Sequence, residues 1–223
     1  MKTNEVLQKN VQEAIALEPL LEAAEIGVTV KDGIVTLTGT VDNYVKKLEA
    51  ENAAKKVTGV KAVVEKIEID YNHSIRTDED IAAEALEALK WSVSVPDDKL
   101  KIIVSQGWVY LQGVVEWNYQ KHSAKKAVET IPGVKGVINS IQIKSADFDK
   151  IEKQAIESAI HRNSSLYDKA IEVAVTGSVV TLTGTVSAYF QKEEAERIAW
   201  NSPGVWTVNN LLAVHQLLPQ SVS

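Results

Sequence analysis

Apolar residues along this chain switch between two periods, and the switching recurs three times. Leu7, Val11, Ala14 and Ile15 fall at i, i+4, i+7 and i+8, the spacing that lines one face of a helix. Ile81, Ala85, Ala88 and Leu89 repeat it, and Ile151, Ala155 and Ala159 continue it. Each helical stretch gives way to period-two alternation: Ile26, Val28, Val30, then Val35 and Leu37 after a turn at Lys31-Asp32-Gly33. Leu100, Ile102, Val104, Val109 and Leu111 surround Ser105-Gln106-Gly107 in the same way, and Ile171, Val173, Val175, Val180 and Leu182 surround Thr176-Gly177-Ser178. Alternation broken by a glycine-bearing turn predicts a hairpin. A second helix is predicted over Asp42–Thr58, Glu116–Ile131 and Ser187–Ser202, ended by Gly59 and by the pairs Pro132-Gly133 and Pro203-Gly204. A third strand follows, with Val60, Val63, Ile67 and Ile69 matched by Val134, Val137, Ile141 and Ile143, then by Val205, Val208, Leu212 and Val214.

The unit is therefore αββαβ. Strand two, helix two and strand three make a β-α-β crossover, so strand three runs parallel to strand two. The predicted class is α+β: three tandem αββαβ domains, each a three-stranded mixed sheet with two helices on one face. The register between copies is fixed by Val35-Thr36-Leu37-Thr38-Gly39-Thr40-Val41, Val109-Tyr110-Leu111-Gln112-Gly113-Val114-Val115 and Val180-Thr181-Leu182-Thr183-Gly184-Thr185-Val186. From each glycine a Gly-Val pair lies 20 residues on, at Gly59, Gly133 and Gly204, and the glycines are spaced 74 and then 71 residues apart. The copies are assigned to 1–70, 71–143 and 144–216, with a tail at 217–223. The linkers, 71–76 and 144–146, are short and not rich in Gly and Ser, so neighbouring copies should touch. A unit of this size buries a modest core, and contacts between copies should add stability.

Composition narrows the function. The 223 residues carry a formal net charge of −6, which argues against general nucleic-acid binding because phosphates call for a basic field. The chain has no cysteine, which removes disulfides, thiolate catalysis and cysteine metal sites. Met1 to Glu5 lead straight into the amphipathic pattern with no apolar leader, and no apolar run approaches the eighteen or so residues of a membrane span. The expectation is a cytoplasmic protein, or a periplasmic one if a leader has been removed.

The order helix, strand, Val-Thr-Leu-Thr-Gly-Thr-Val strand, helix and Gly-Val strand resembles the BON domain, the bacterial osmotic-shock and nodulation domain, three times over nearly the whole chain. Copy two departs from the pattern with Tyr110, Gln112 and Val114 in place of threonines. The resemblance implies a non-catalytic binding module of bacterial osmotic and envelope stress, with phospholipid surfaces as the ligand most often proposed, and secreted relatives act in the periplasm. A cytosolic potassium-sensing relative joins one BON domain to a LysM domain; no segment here is similar to LysM, and that activity is not implied.

Candidate chemistry is judged against that background. Gly39, Gly113 and Gly184, where a strand hands over to a helix, could offer amides to an anion, but no phosphate-loop pattern surrounds them, and close packing or positive φ is the plainer reading. Lys46, Lys47, Lys55 and Lys56 in copy one and Lys121, Lys125 and Lys126 in copy two are the candidate lipid or anion ligands. Glu49, Glu51 and Glu129 dilute them, and a solvated helix face is the plainer reading. Copy three keeps only Lys192 and Arg197 there. Tyr44, Trp117, Tyr119, Tyr189 and Phe190 gather at the start of helix two and suit either an interface or a staple onto their own sheet. Trp117 stands out because Asn43 and Ala188 occupy its place in the other copies. The open sheet face carries Thr29, Thr36, Thr38 and Thr40 in copy one and Thr181, Thr183 and Thr185 in copy three, but Ile103, Tyr110 and Val114 in copy two. That face is expected to be covered by another copy or another subunit, so Trp117, Tyr119, Ile103 and Tyr110 are the candidate interface residues, and homo-oligomerisation stays open.

No catalytic residue, metal site or cofactor is assigned, and the chain is not expected to be an enzyme. His73, His122, His161 and His215 are scattered without metal-ligand spacing, and no nucleophile elbow is present. Asp78, Glu79, Asp80 and Glu84 are expected to cap a helix and complement its dipole. Two partner classes stand: an anionic phospholipid surface, or proteins bound by a scaffold or chaperone-like stress factor.

Overall fold

The computed structural model describes residues 3–21, 26–70, 76–144, 151, 153–167 and 169–214. Most of the linkers, the tail, His73 and His215 lie outside them. The architecture is α+β, with three sheets each flanked by two helices. Copy one comprises α1 (Asn4–Ala16), β1 (Ile26–Lys31), β2 (Ile34–Val41), α2 (Tyr44–Lys56) and β3 (Ala62–Ile69). Copy two repeats this as α3 (Asp78–Trp91), β4 (Leu100–Ser105), β5 (Trp108–Val115), α4 (Asn118–Glu129) and β6 (Gly136–Ile143), with a 3-10 turn at Asp97–Lys99 before β4. Copy three has α5 (Lys153–Arg162), β7 (Ile171–Thr176), β8 (Val179–Val186) and α6 (Tyr189–Trp200), and its last strand is split into β9 (Thr207–Asn210) and β10 (Ala213–Val214).

In each sheet the middle strand of the chain is also central in space. β1 pairs antiparallel with β2 and β2 parallel with β3, and the other copies follow suit. The predicted alternation supplies the cores: Val35 and Leu37, Val109 and Leu111, Val180 and Leu182 are fully buried under the helices. Both central residues of the first two hairpin turns have positive φ, Asp32-Gly33 and Gln106-Gly107, the geometry that matches strand twist. Helix one secures the turn. Asn4 accepts from the Asp32 amide at 3.0 Å, and the Asp78 carboxylate accepts from the Gln106 and Gly107 amides at 2.7 and 2.8 Å. Asp78 thus ties helix to hairpin, a role that helix-end patterning did not reveal, whereas Asp80 forms the expected capping box with Thr77. The capping hydrogen bonds from Thr77 hold the Asp80 carboxyl below the usual aspartate range.

The split in strand three falls directly after Asn210. Asn210 turns its amide toward α6, donating to the Lys192 carbonyl at 2.7 Å, and its oxygen accepts from the Leu212 amide at 3.4 Å. Asn139 makes the same two bonds in copy two, to the Lys121 carbonyl and from the Ile141 amide, without breaking β6. Each hook fastens strand three to helix two.

Candidate functional site

The three second helices meet, and they do so cyclically. By the repeat offsets, Tyr44, Asn118 and Tyr189 are one position, the first residue of helix two, and Lys55, Glu129 and Trp200 are another, near its end. Tyr44 of copy one packs onto the core of copy two and lines a groove with Glu129. Its hydroxyl reaches the Val137 backbone, and burial pushes its pKa up. Asn118 of copy two shares a crevice with Trp200 of copy three, whose indole packs on the cores of both copies. Tyr189 of copy three lies under Lys55 of copy one, with the ammonium 5.2 Å from the ring centroid. The Gly59 amide also donates to the Ser187 carbonyl at 3.1 Å. The start of helix two in each copy therefore meets the end of helix two in the next, and the third contact closes the circuit. The helices face inward and the open sheet faces look outward. Among the described residues no other copy covers the apolar face of copy two, where Ile103 is 52% and Val114 40% exposed, so of the two expected covers another subunit stays open.

Several candidate lysines are held in ion pairs, most of them within their own copy. Lys46 pairs with Asp42 at 2.8 Å. Lys47 pairs with Glu65 at 2.8 Å and donates to the Ile67 carbonyl at 2.8 Å. Lys55 bridges Glu51 at 2.9 Å and Glu193 of copy three at 2.7 Å, and these carboxylates outweigh burial to hold its pKa up. Lys56 reaches Glu18 at 3.5 Å, and Lys125 reaches Glu129 at 3.1 Å. Trp117 is half-buried, and Tyr119 is exposed.

Lys121 differs. Its equivalents Lys47 and Lys192 each donate to a strand-three carbonyl, of Ile67 at 2.8 Å and of Leu212 at 3.0 Å. The Lys121 ammonium instead faces a crevice of about 670 Å³ between α2, α4 and α6, lined among others by Glu49, Asn52, His122, Phe190, Glu196 and Trp200. Burial pushes its pKa down, against the pull of Glu196. His122 lines the same crevice, and burial with Lys125, Lys126 and Lys121 lowers its pKa, while Glu129 opposes them. Glu193, Glu194 and Arg197 also line the crevice, with Glu194 held low and Arg197 high by their mutual ion pair at 2.6 Å.

A pH dependence follows. A histidine whose folded pKa lies below its unfolded value near 6.5 binds fewer protons folded than unfolded. Its contribution to stability is full above the unfolded value and is lost as pH falls toward the folded one. The thermal midpoint should therefore drop between pH 7.5 and 5, and a His122→Gln variant should drop less across the same window. Equal drops in the two proteins would show that His122 does not carry the effect.

The glycines at the strand-to-helix junction serve the backbone. Gly113 and Gly184 have φ of 141° and 121°, and a Cβ there would overlap the carbonyl oxygens of Lys99 and Ala170. Among the described residues no three His, Asp or Glu side chains are grouped to hold a metal, and no helix is long and apolar enough to cross a membrane.

Sequence patterning missed the ends of the first helices, because an exposed residue leaves no periodic trace. Trp91, the last residue of α3, is 81% exposed, and Val93 just beyond it is fully exposed. Leu17 and Leu20 after α1 and Tyr167 after α5 are exposed in the corresponding loops.

The BON domain model matches this chain at residues 3–71, 77–145 and 149–216, so it spans nearly all of it. The chain belongs to the BON domain family. Among curated relatives it is 30% identical over 125 residues to a protein of the gshII 5′ region of Anaplasma centrale, covering 54% of this chain and 83% of that one. It is 27% identical over 143 residues to the osmotically-inducible protein Y of Escherichia coli, covering 60% of this chain and 69% of that one. Among solved structures, CdsD, a structural protein of the type III secretion system of Chlamydia trachomatis, aligns over 94% of this chain and 92% of its own at 15% identity, with a TM-score of 0.25. That score is too low to bear on how BON copies are arranged here.

Proposed function

We propose that this three-BON chain is a non-catalytic binding protein of osmotic or envelope stress that docks on phospholipid surfaces through the ends of its first helices. The carrying observation is the exposure of Trp91 and Val93. An exposed indole at a helix end costs solubility and is the side chain best suited to a headgroup boundary. Leu17, Leu20 and Tyr167 are exposed in the equivalent loops of the other copies, with Lys90 beside Trp91 and Arg162 at the position of Trp91 in copy three. This relocates the lipid contact from helix two, where ion pairs, mostly within a copy and in the case of Lys55 also between copies, occupy most of the basic side chains. The stress association is supported by the similarity to the osmotically-inducible protein Y. A scattered set of histidines and the absence of a nucleophile elbow favour binding over catalysis. The same role suits the cytoplasmic face of the membrane, or its periplasmic face if a leader is removed.

The test is co-sedimentation with vesicles of phosphatidylglycerol and phosphatidylcholine. Inserting one indole is worth about 2 kcal/mol, so Trp91→Ala with Val93→Ser should weaken partitioning roughly thirtyfold. Lys46→Ala with Lys47→Ala should change it little. No wild-type binding at low salt would refute the proposal, and so would undiminished binding of the Trp91 variant.

A further inference from the structure

The outward-facing sheet of copy two is built unlike its sisters. Pairing across β4, β5 and β6 places Ile103, Tyr110 and Ile138 in one row spanning the sheet. The corresponding rows are Thr29, Thr36 and Val64 in copy one, and Ala174, Thr181 and Asn209 in copy three. The next row of copy two is Ser105, Trp108 and Gly136, and the indole lies flat over the glycine, where a Cβ would collide with it. Val114 extends the apolar area beyond a middle row of Lys101, Gln112 and Ser140. Ile103 is 52% exposed, and Trp108, Val114 and Ile138 are each about 40% exposed. Two sister faces with threonine at the positions of Tyr110 and Val114 demonstrate that this strand pairing does not need apolar residues there. Among the described residues nothing covers the patch, and the copies meet through helix two on the opposite side of each sheet.

We propose that this face is a self-association surface, on which a second copy of the chain stacks sheet against sheet about a two-fold axis. A two-fold contact needs one patch used twice, and this patch is the one apolar sheet face among the three copies. Its area suits that use. Three strands spaced by about 4.8 Å and some 25 Å long give a footprint of roughly 350 Å², which the side chains standing on it raise to an accessible surface on the order of 600 Å², so two faces bury on the order of 1,200 Å², the lower limit of specific interfaces. The charge pattern agrees. The chain carries a net charge of −6, so two copies repel, and contact is easiest where charge is sparse. Lys101 is the single ionic side chain on this face, while the face of copy one carries Lys31, Lys66 and Glu68. At the centre of the stack Gln112 offers amide donors and acceptors to its own counterpart. The small area sets the affinity: a dimer with a dissociation constant on the order of tens of micromolar.

Sedimentation equilibrium from about 1 to 500 μM at physiological salt tests this. The wild type should pass from monomer to dimer. Tyr110→Thr with Val114→Thr, which installs the residues of copies one and three, should raise the dissociation constant at least about tenfold, with the thermal midpoint and circular dichroism near wild type. Ile103→Thr, on an edge strand and matching Thr29, should act in the same direction and keeps the test open if the double variant misfolds. A wild type that stays monomeric throughout would overturn the proposal. So would a dimer that survives both variants, which would place the contact elsewhere. If the wild type is monomeric and the Tyr110 variant loses vesicle binding, the face meets lipid and not a second copy. Vesicle binding and dimerisation are read separately, so failure of the Trp91 reading leaves this one standing.

Discussion

Trp200→Ala is expected to destabilise the protein by about 3 kcal/mol, near the lower end for truncating a buried aromatic because the indole is only half-buried. The effect should be larger than one copy alone would suffer. Trp200 is the last residue of α6, packs on the core of its own copy and on that of copy two, and hydrogen-bonds Glu196 through its indole at 3.4 Å. Removing it opens the contact between the end of α6 and the start of α4, one of three that close the ring. For a protein of this length the loss corresponds to roughly 6–12 °C in Tm. The shape of the transition is informative too. A closed circuit couples every copy to two neighbours, so the wild type should melt in one transition. The variant should broaden or split, because copies two and three are then coupled only through copy one. A sharp transition within about 1 °C of wild type would refute the contact.

The position of Trp200 also shows why the ring was illegible in the sequence. The repeat aligns Lys55, Glu129 and Trp200, which a reader of one copy at a time takes for a solvated helix end. Their counterparts are Tyr189, Tyr44 and Asn118, so one position in the ring is served by a cation on a ring, by a carboxylate and a tyrosine lining one groove, and by an indole and an amide lining one crevice. No shared chemistry marks the position, and each partner is far away in the chain. The pairing of Lys55 across copies was hidden for the same reason. Lys55 and Glu193 are 138 residues apart, and only the fold reveals that they are 2.7 Å from each other.

What was legible is what periodicity dictates. Val35, Leu37, Val109, Leu111, Val180 and Leu182 alternate because one sheet face is covered by helices, and the αββαβ order follows from the switches of period. The difference between copies also survived: Tyr110 and Val114 break the threonine pattern, and their face is the apolar one. Copy two's other oddity, Trp117, is half-buried. Its backbone amide donates to Gln120 at 3.0 Å, as that of Ala188 does to Gln191 at 3.1 Å, so the junction needs no tryptophan. Trp91, which no pattern singled out, is the more exposed indole.

The second large effect is expected at Gly184. Gly184→Ala should cost at least about 3 kcal/mol, combining backbone strain with a steric overlap. Gly184 sits in β8 opposite Ile171, with φ of 121°, a region that L side chains rarely adopt. A Cβ would meet the carbonyl oxygen of Ala170 closely enough that β7 must shift away from β8. That carbonyl accepts the Thr185 amide at 3.2 Å, so the shift breaks a hydrogen bond at the edge of the sheet. Gly177 supplies the control within the same hairpin. Its φ is 58°, yet a Cβ there meets nothing within 4 Å. Gly177→Asn should therefore be tolerated to within about 1 kcal/mol, since asparagine accepts the left-handed region. The pair separates two meanings of a repeated glycine. If the two variants lose similar amounts of stability in urea, φ alone decides, and the close approach of Ala170 to Gly184 carries no energy. If Gly184→Ala alone fails, the glycine that recurs as Gly113 and Gly184 is kept for more than an ordinary left-handed turn: its φ of 141° or 121° and the close approach of strand one together exclude a side chain.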